Sequence, residues 1–415
     1  MDNLYDYLYW RGDLSFKSVP PNEIDFVIFS VLSYIDFSSV FVSDDLNIRY
    51  SLEKLALLMA ENGSLVPKPE TPSFEVECLE LLPLLATKTR FKDVSVLGYS
   101  CNTEKDNVLQ FAAISFLLPS PELVVSFRGT DATLIGWKED FMMSFKKSVG
   151  SQECGLEYLE KVAQVTSSPI SLVGHSKGGN VASYSALKAS KAVQTRIDQV
   201  YSFDGPGFNE QSLKSLNNPE MKKRLTTLVP QGSVVGILMQ HEEPIEVVYS
   251  CKKGGISQHM PFTWEVHVDH FKRLEERDRA SLMFDKSIRK WLEGLDEEEI
   301  NSFINSFFAT ADDAGVQSVS DLKLKPGKTL SNLIKVYSKK DLKTRKQIEK
   351  TIGALLASMR DITSSEYKNK RDSLIEQLRN TRKETMNTLF PFFEEKNAQR
   401  KRAAVLESKE DKNKK

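Results

Sequence analysis

The stretch Gly174-His175-Ser176-Lys177-Gly178-Gly179 holds the residue types for covalent acyl chemistry. It is a G-x-S-x-G pentapeptide with one further glycine. Pro169 to Val173 before it reads as a short buried strand, and Asn180 to Ala189 after it as a helix. A strand, a tight turn with serine at its apex and a helix make a nucleophile elbow. The geometry serves the chemistry. A serine hydroxyl is a weak nucleophile and must stand clear of the backbone, facing a base. So sharp a turn crowds the chain, and its neighbours must be small. Gly174, Gly178, Gly179 and Ala182 meet that requirement.

Such a serine needs a base, usually histidine, and the chain has 5 histidines. His175 lies inside the turn, beside the nucleophile. His241, His259, His267 and His270 remain. In this arrangement the base follows the last strand. Glu246–Tyr249 reads as that strand, and the loop after it carries His259 within Gln258-His259-Met260-Pro261-Phe262-Thr263-Trp264. His259 is therefore the expected base and His270 the alternative. The acid must fall between serine and base, near a strand end. Met221 to His241 contains no Asp or Glu. Asp204, in Phe203-Asp204-Gly205-Pro206-Gly207, ends the preceding strand and is the expected acid, with Glu242 and Glu243 as alternatives. It would fix the imidazole tautomer and stabilise the imidazolium. The developing oxyanion needs donors. The backbone N–H of Lys177 is one. Thr130, ending the run Val124-Val125-Ser126-Phe127-Arg128-Gly129-Thr130, is placed as the other, with its hydroxyl as a further donor. Asp204 and Thr130 also suit plain turn chemistry.

Helices are expected from Asn22 to about Ile35, Leu52 to Ala60, Phe74 to Thr87 and Gly155 to Val165. Val94–Tyr99, Leu109–Leu117 and Leu123–Phe127 are β-rich runs. Ile170–Val173, Val200–Phe203, Leu225–Val229 and Glu246–Tyr249 then alternate with helical stretches. That alternation predicts an α/β fold: a mostly parallel sheet with helices on both faces, opened by antiparallel strands. Three regions follow: a helical part over 1–90, an α/β core over 91–310 and a basic helical extension over 311–415. In the extension, Ile348, Ile352, Leu355, Met359 and Ile362 recur at helical spacing, and the charged end from Lys401 reads as disordered.

The net charge of −1 hides an asymmetry. Residues 321–415 carry 25 Lys and Arg against 13 Asp and Glu, leaving 31 against 44 in residues 1–320. The 4 cysteines are scattered and form no C-x-x-C pair, which argues against a zinc site or a disulfide framework. The opening residues lack a secretory pattern. The longest apolar stretch, Phe26 to Ile35, is too short to span a bilayer. A cytoplasmic protein is expected, at most peripheral to a membrane through its basic tail, with nucleic acid disfavoured as a partner.

Taken together, Val125-Ser126-Phe127-Arg128-Gly129-Thr130, Trp137, Asp140 and the Ser176 turn resemble the class-3, fungal-type lipases. Asp6 to Phe16, His175-Ser176-Lys177-Gly178-Gly179-Asn180, the Asp204 turn and Gln258 to Trp264 are similar to a bacterial branch of that superfamily. The resemblance covers roughly residues 1–310. It implies an α/β-hydrolase fold, a cofactor-free and metal-free serine site, and an acyl-ester or lipid-like substrate. It also implies an oxyanion role for Thr130 and a lid in the segment after it. There Phe141, Met142, Met143 and Phe145 would contact acyl chain or lid, or else pack in the core. The chain departs from the lipases twice. Lys177 stands where leucine is usual, which at a pocket mouth would favour an anionic substrate. Gln231-Gly232-Ser233-Val234 occupies the usual place of the acid, so Ser233 replaces a carboxylate. A thioesterase or peptidase on the same residues, or a non-catalytic module acting through the basic tail, are the other readings.

Overall fold

The computed structural model describes residues 2–315 apart from 44, 70 and 132, together with a set of residues between 332 and 353. Nine strands form one sheet: β1 (Arg49–Ser51), β2 (Ser95–Glu104), β3 (Leu109–Leu117), β4 (Leu123–Phe127), β5 (Ile170–His175), β6 (Ile197–Phe203), β7 (Leu225–Pro230), β8 (Ile245–Val248) and β9 (Arg273–Leu274). They lie side by side in chain order. Strands β4 to β8 run parallel. Strands β1 to β4 pair antiparallel, and β9 pairs antiparallel with β8. The parallel part is thus the central block that carries the serine.

The sheet is covered on both faces, so its central strands are continuous apolar runs. Every residue of β4 and β5 is buried. Side chains alternate across a strand. Val124 and Val173 enter one core with helices α1 (Leu4–Arg11), α2 (Glu23–Leu32), α3 (Leu52–Glu61) and α4 (Ser73–Ala86). Val125 and Leu172 enter the other, with α6 (Gly150–Val162) and α7 (Lys177–Lys188). Parallel neighbours need a crossover. Helix α6, preceded by α5 (Leu134–Met142), links β4 to β5, and α7 links β5 to β6.

Local signals set the helix starts. Asn22 caps α2 and shares a capping box with Asp25, which satisfies amides that the first turn leaves without partners. Helix α6 begins earlier than Gly155, because Gln152 caps the Val149 amide. Helices α1 and α5 were not anticipated from periodicity. Three more matter below: α8 (Gly255–Gln258), α9 (Arg279–Glu293) and α10 (Glu297–Asp313). Of the residues at helical spacing, Ile352, Leu355, Met359 and Ile362 lie outside the described residues, as does the end from Lys401. Among the described residues, no helix is long and apolar enough to cross a membrane.

The amino-terminal helices share the sheet's core. They are pinned by Arg90, wholly buried, whose guanidinium pairs with buried Asp25 at 2.6 Å. Arg90 also donates to the carbonyls of Leu14, Val19 and Pro20, and stacks 4.2 Å from the Phe16 ring centroid. Tyr7 donates to the same carboxylate. Removing one member strands a buried charge. Arg90→Leu should lower unfolding free energy by about 3–5 kcal/mol in urea melts, more than Arg90→Leu combined with Asp25→Asn.

Candidate active site

Ser176 closes β5 and caps α7 with φ 58° and ψ −134°. This is a costly conformation for a residue with a side chain. The turn is compressed as well as twisted. A Cβ on Gly178 would fall 2.1 Å from the Phe127 carbonyl oxygen, so only glycine fits there. The Ser176 amide donates to the Phe203 carbonyl at 2.9 Å, which fastens the turn to the end of β6.

Asp204 follows directly, also at positive φ (49°). Its carboxylate is fully buried and takes three donors. Oδ2 accepts from His259 Nδ1 at 2.6 Å. Oδ1 accepts from the Ser233 hydroxyl at 2.5 Å and from the Gly236 amide at 3.1 Å. Ser233, which lies beyond β7, therefore holds a carboxylate that stands at the end of β6. With Nδ1 donating to Asp204, the neutral imidazole of His259 is the tautomer whose lone pair lies on Nε2. No hydrogen bond joins Nε2 to Oγ of Ser176. Such contacts are often loose before substrate binds.

The base loop is anchored around buried Trp264, whose indole donates to the Gln258 carbonyl at 2.7 Å. Gln258 in turn accepts from the Gly232 amide at 2.6 Å. A further anchor was not anticipated. His175, buried beside Ser176, has Nε2 2.8 Å from the His259 carbonyl and Nδ1 2.8 Å from the Tyr34 hydroxyl. A carbonyl only accepts, so Nε2 carries the hydrogen and Nδ1 accepts from Tyr34. The two imidazole centroids are 4.4 Å apart. Burial, aided by the neighbouring His259, holds His175 well below the usual histidine range and therefore neutral. Only its place inside the G-x-S-x-G motif could have signalled this role.

The loop after β4 reaches the same turn. A Cβ on Gly129 would lie 3.0 Å from that of Ser176, so Gly129 lies against the serine and Thr130 follows it. Its hydroxyl donates to Asp140 at 2.6 Å and is not spare while Asp140 is ionised. Burial pushes the Asp140 carboxyl up to about 6, against the opposing pull of Lys177 and of the Thr130 hydroxyl. The backbone amide is Thr130's remaining donor. The Lys177 amide begins α7, where the preceding turn offers no acceptor.

The Lys177 side chain does not reach a pocket mouth. It is buried, with Nζ 2.8 Å from Glu139 of α5 and 2.7 Å from both oxygens of Gln110, so a substrate anion has no access to it. Met142 and Phe145 pack with Met143 against Ile300, Ile304 and Phe308 of α10. Phe141 stays partly exposed beside Phe308. His270 is half exposed and bonds Asp269. Glu243 pairs with His241, and Glu242 with Lys222. Among the described residues, no group of three or more His, Cys, Asp or Glu could hold a metal ion.

A serine at a strained strand–helix turn, beside a buried carboxylate–imidazole pair, fits a lipase-related α/β protein. A family model described as Mbeg1-like matches residues 85–309, more than half of the chain, and the chain belongs to this lipase-related family. No curated protein matches. Among solved structures, the native Rhizomucor miehei lipase propeptide complex is similar at 13% identity over 59% of this chain and 78% of that one, with a TM-score of 0.32.

The state of His175 gives a pH prediction. The unfolded chain takes up a proton near the ordinary value of 6.5 that folded His175 refuses. The stability this site contributes is full above that pH and is lost as pH falls below it. His175→Gln should flatten the dependence of melting temperature on pH between about 6.5 and 5, read in parallel melts.

Proposed function

We propose that this protein is a serine carboxylic-ester hydrolase with an α/β-hydrolase architecture. Two observations carry the reading: the strained apex serine is fastened to the strand end that bears Asp204, and Asp204 binds His259 Nδ1, which in the neutral imidazole leaves Nε2 as a base. Oγ of Ser176 attacks the acyl carbonyl while His259 Nε2 takes its proton. Charge gathers on the carbonyl oxygen, facing the amides of Lys177 and Thr130, which are already fixed by the fold. Asp204 keeps His259 in the required tautomer and stabilises the imidazolium. His259 then returns the proton to the departing alcohol, leaving an acyl-serine. Water, activated by the same imidazole, releases the acid. The four unpaired cysteines fit a reducing compartment.

Fluorophosphonate labelling tests the nucleophile. The native chain should take up one label, and Ser176→Ala none. Absence of label on a folded native chain would end the proposal. Asp204→Asn keeps the shape but reverses the tautomer. It should cut kcat for a p-nitrophenyl ester by roughly 10³–10⁴-fold with little change in KM.

A further inference from the structure

The lipase resemblance implies a movable lid after Thr130. The structure has α5 there, held from both sides. On its inner side Glu139 is fully buried. Its Oε2 accepts from Lys177 Nζ at 2.8 Å and from the Gln110 amide at 3.1 Å, and its Oε1 from the Ser151 amide at 2.8 Å. The three donors of the Lys177 ammonium are met by Glu139 and two oxygens of Gln110. The next residue, Asp140, takes the Thr130 hydroxyl. On the outer side Met142, Met143 and Phe145 are consumed by packing against α10.

These contacts couple the helix to chemistry. Lys177 supplies one candidate oxyanion donor through its backbone, and its side chain grips α5. Thr130 supplies the other, and its side chain grips α5 through Asp140. Swinging α5 aside would strand a buried ammonium and separate the two donors. It would also expose Met142, Met143 and Phe145, now packed against α10.

We propose that α5 is a fixed wall, so the oxyanion donors stand assembled without a lipid–water interface and the substrate is an acyl ester taken as a single dissolved molecule. Glu139 is then a positioning residue that holds the Lys177 amide in place. This rests on the serine-hydrolase reading, and the test keeps the two apart.

The full chain is incubated with a fluorophosphonate in buffer, and again with vesicles of phosphatidylcholine and phosphatidylglycerol, with Ser176→Ala as blank. Equal labelling rates in the two arms are expected. Acceleration by vesicles of about tenfold or more would overturn the fixed wall while leaving the hydrolase reading intact. No label in either arm would strike the hydrolase reading itself. Glu139→Gln keeps the shape and unpairs Lys177. Its maximal labelling rate in buffer should fall by about tenfold or more, with the half-saturating concentration of reagent unchanged. A rate equal to or above that of the native chain would show that releasing α5 does not disturb the donors, and would overturn the proposal.

Discussion

The buried carboxylate of Asp204 is the constraint around which the site is arranged. An ionised group fully removed from water persists only with a full set of donors. The fold provides them from three places: the His259 loop, Ser233 and the Gly236 amide. Each donor fixes its own loop in return. Asp204 follows Phe203, whose carbonyl takes the Ser176 amide, so the same strand end registers Ser176 against Asp204. The strain at the two positive-φ residues that follow β5 and β6, Ser176 and Asp204, is tolerated because hydrogen bonds hold both turns.

Two further networks extend that arrangement outward. Tyr34 and His175 tie the His259 backbone to α2 and to the elbow itself. Lys177, Glu139 and Gln110 tie the elbow to α5 and β3. Both use residues flanking Ser176, so the motif is a structural hub as well as the seat of a hydroxyl. A lysine after Ser176 requires a buried acid opposite, and the helix bearing that acid is committed with it.

Much of this was legible in the sequence. The elbow was readable because a compressed turn admits only small residues in a fixed order, and the strands because both faces of the sheet are covered. Chain order and the absence of carboxylates between Met221 and His241 pointed to Asp204 and His259, which the fold brings into hydrogen-bond contact. What escaped depends on contacts distant in sequence. Nothing near Lys177 announces Glu139, 38 residues away, or that the ammonium points inward. His175 looked like a bystander because Tyr34 lies 141 residues before it. Helix α5 has no clean apolar stripe, since it buries the charged Glu139 while Trp137 and Phe141 stay partly exposed.

The most direct test of the central claim is to trap the acyl-enzyme from a p-nitrophenyl ester by rapid acid quench and locate the acyl group by peptide mapping. The account predicts one acyl group, on Ser176, and none in His259→Ala. An acyl group on another residue, or unchanged acylation of Ser176 without His259, would contradict it.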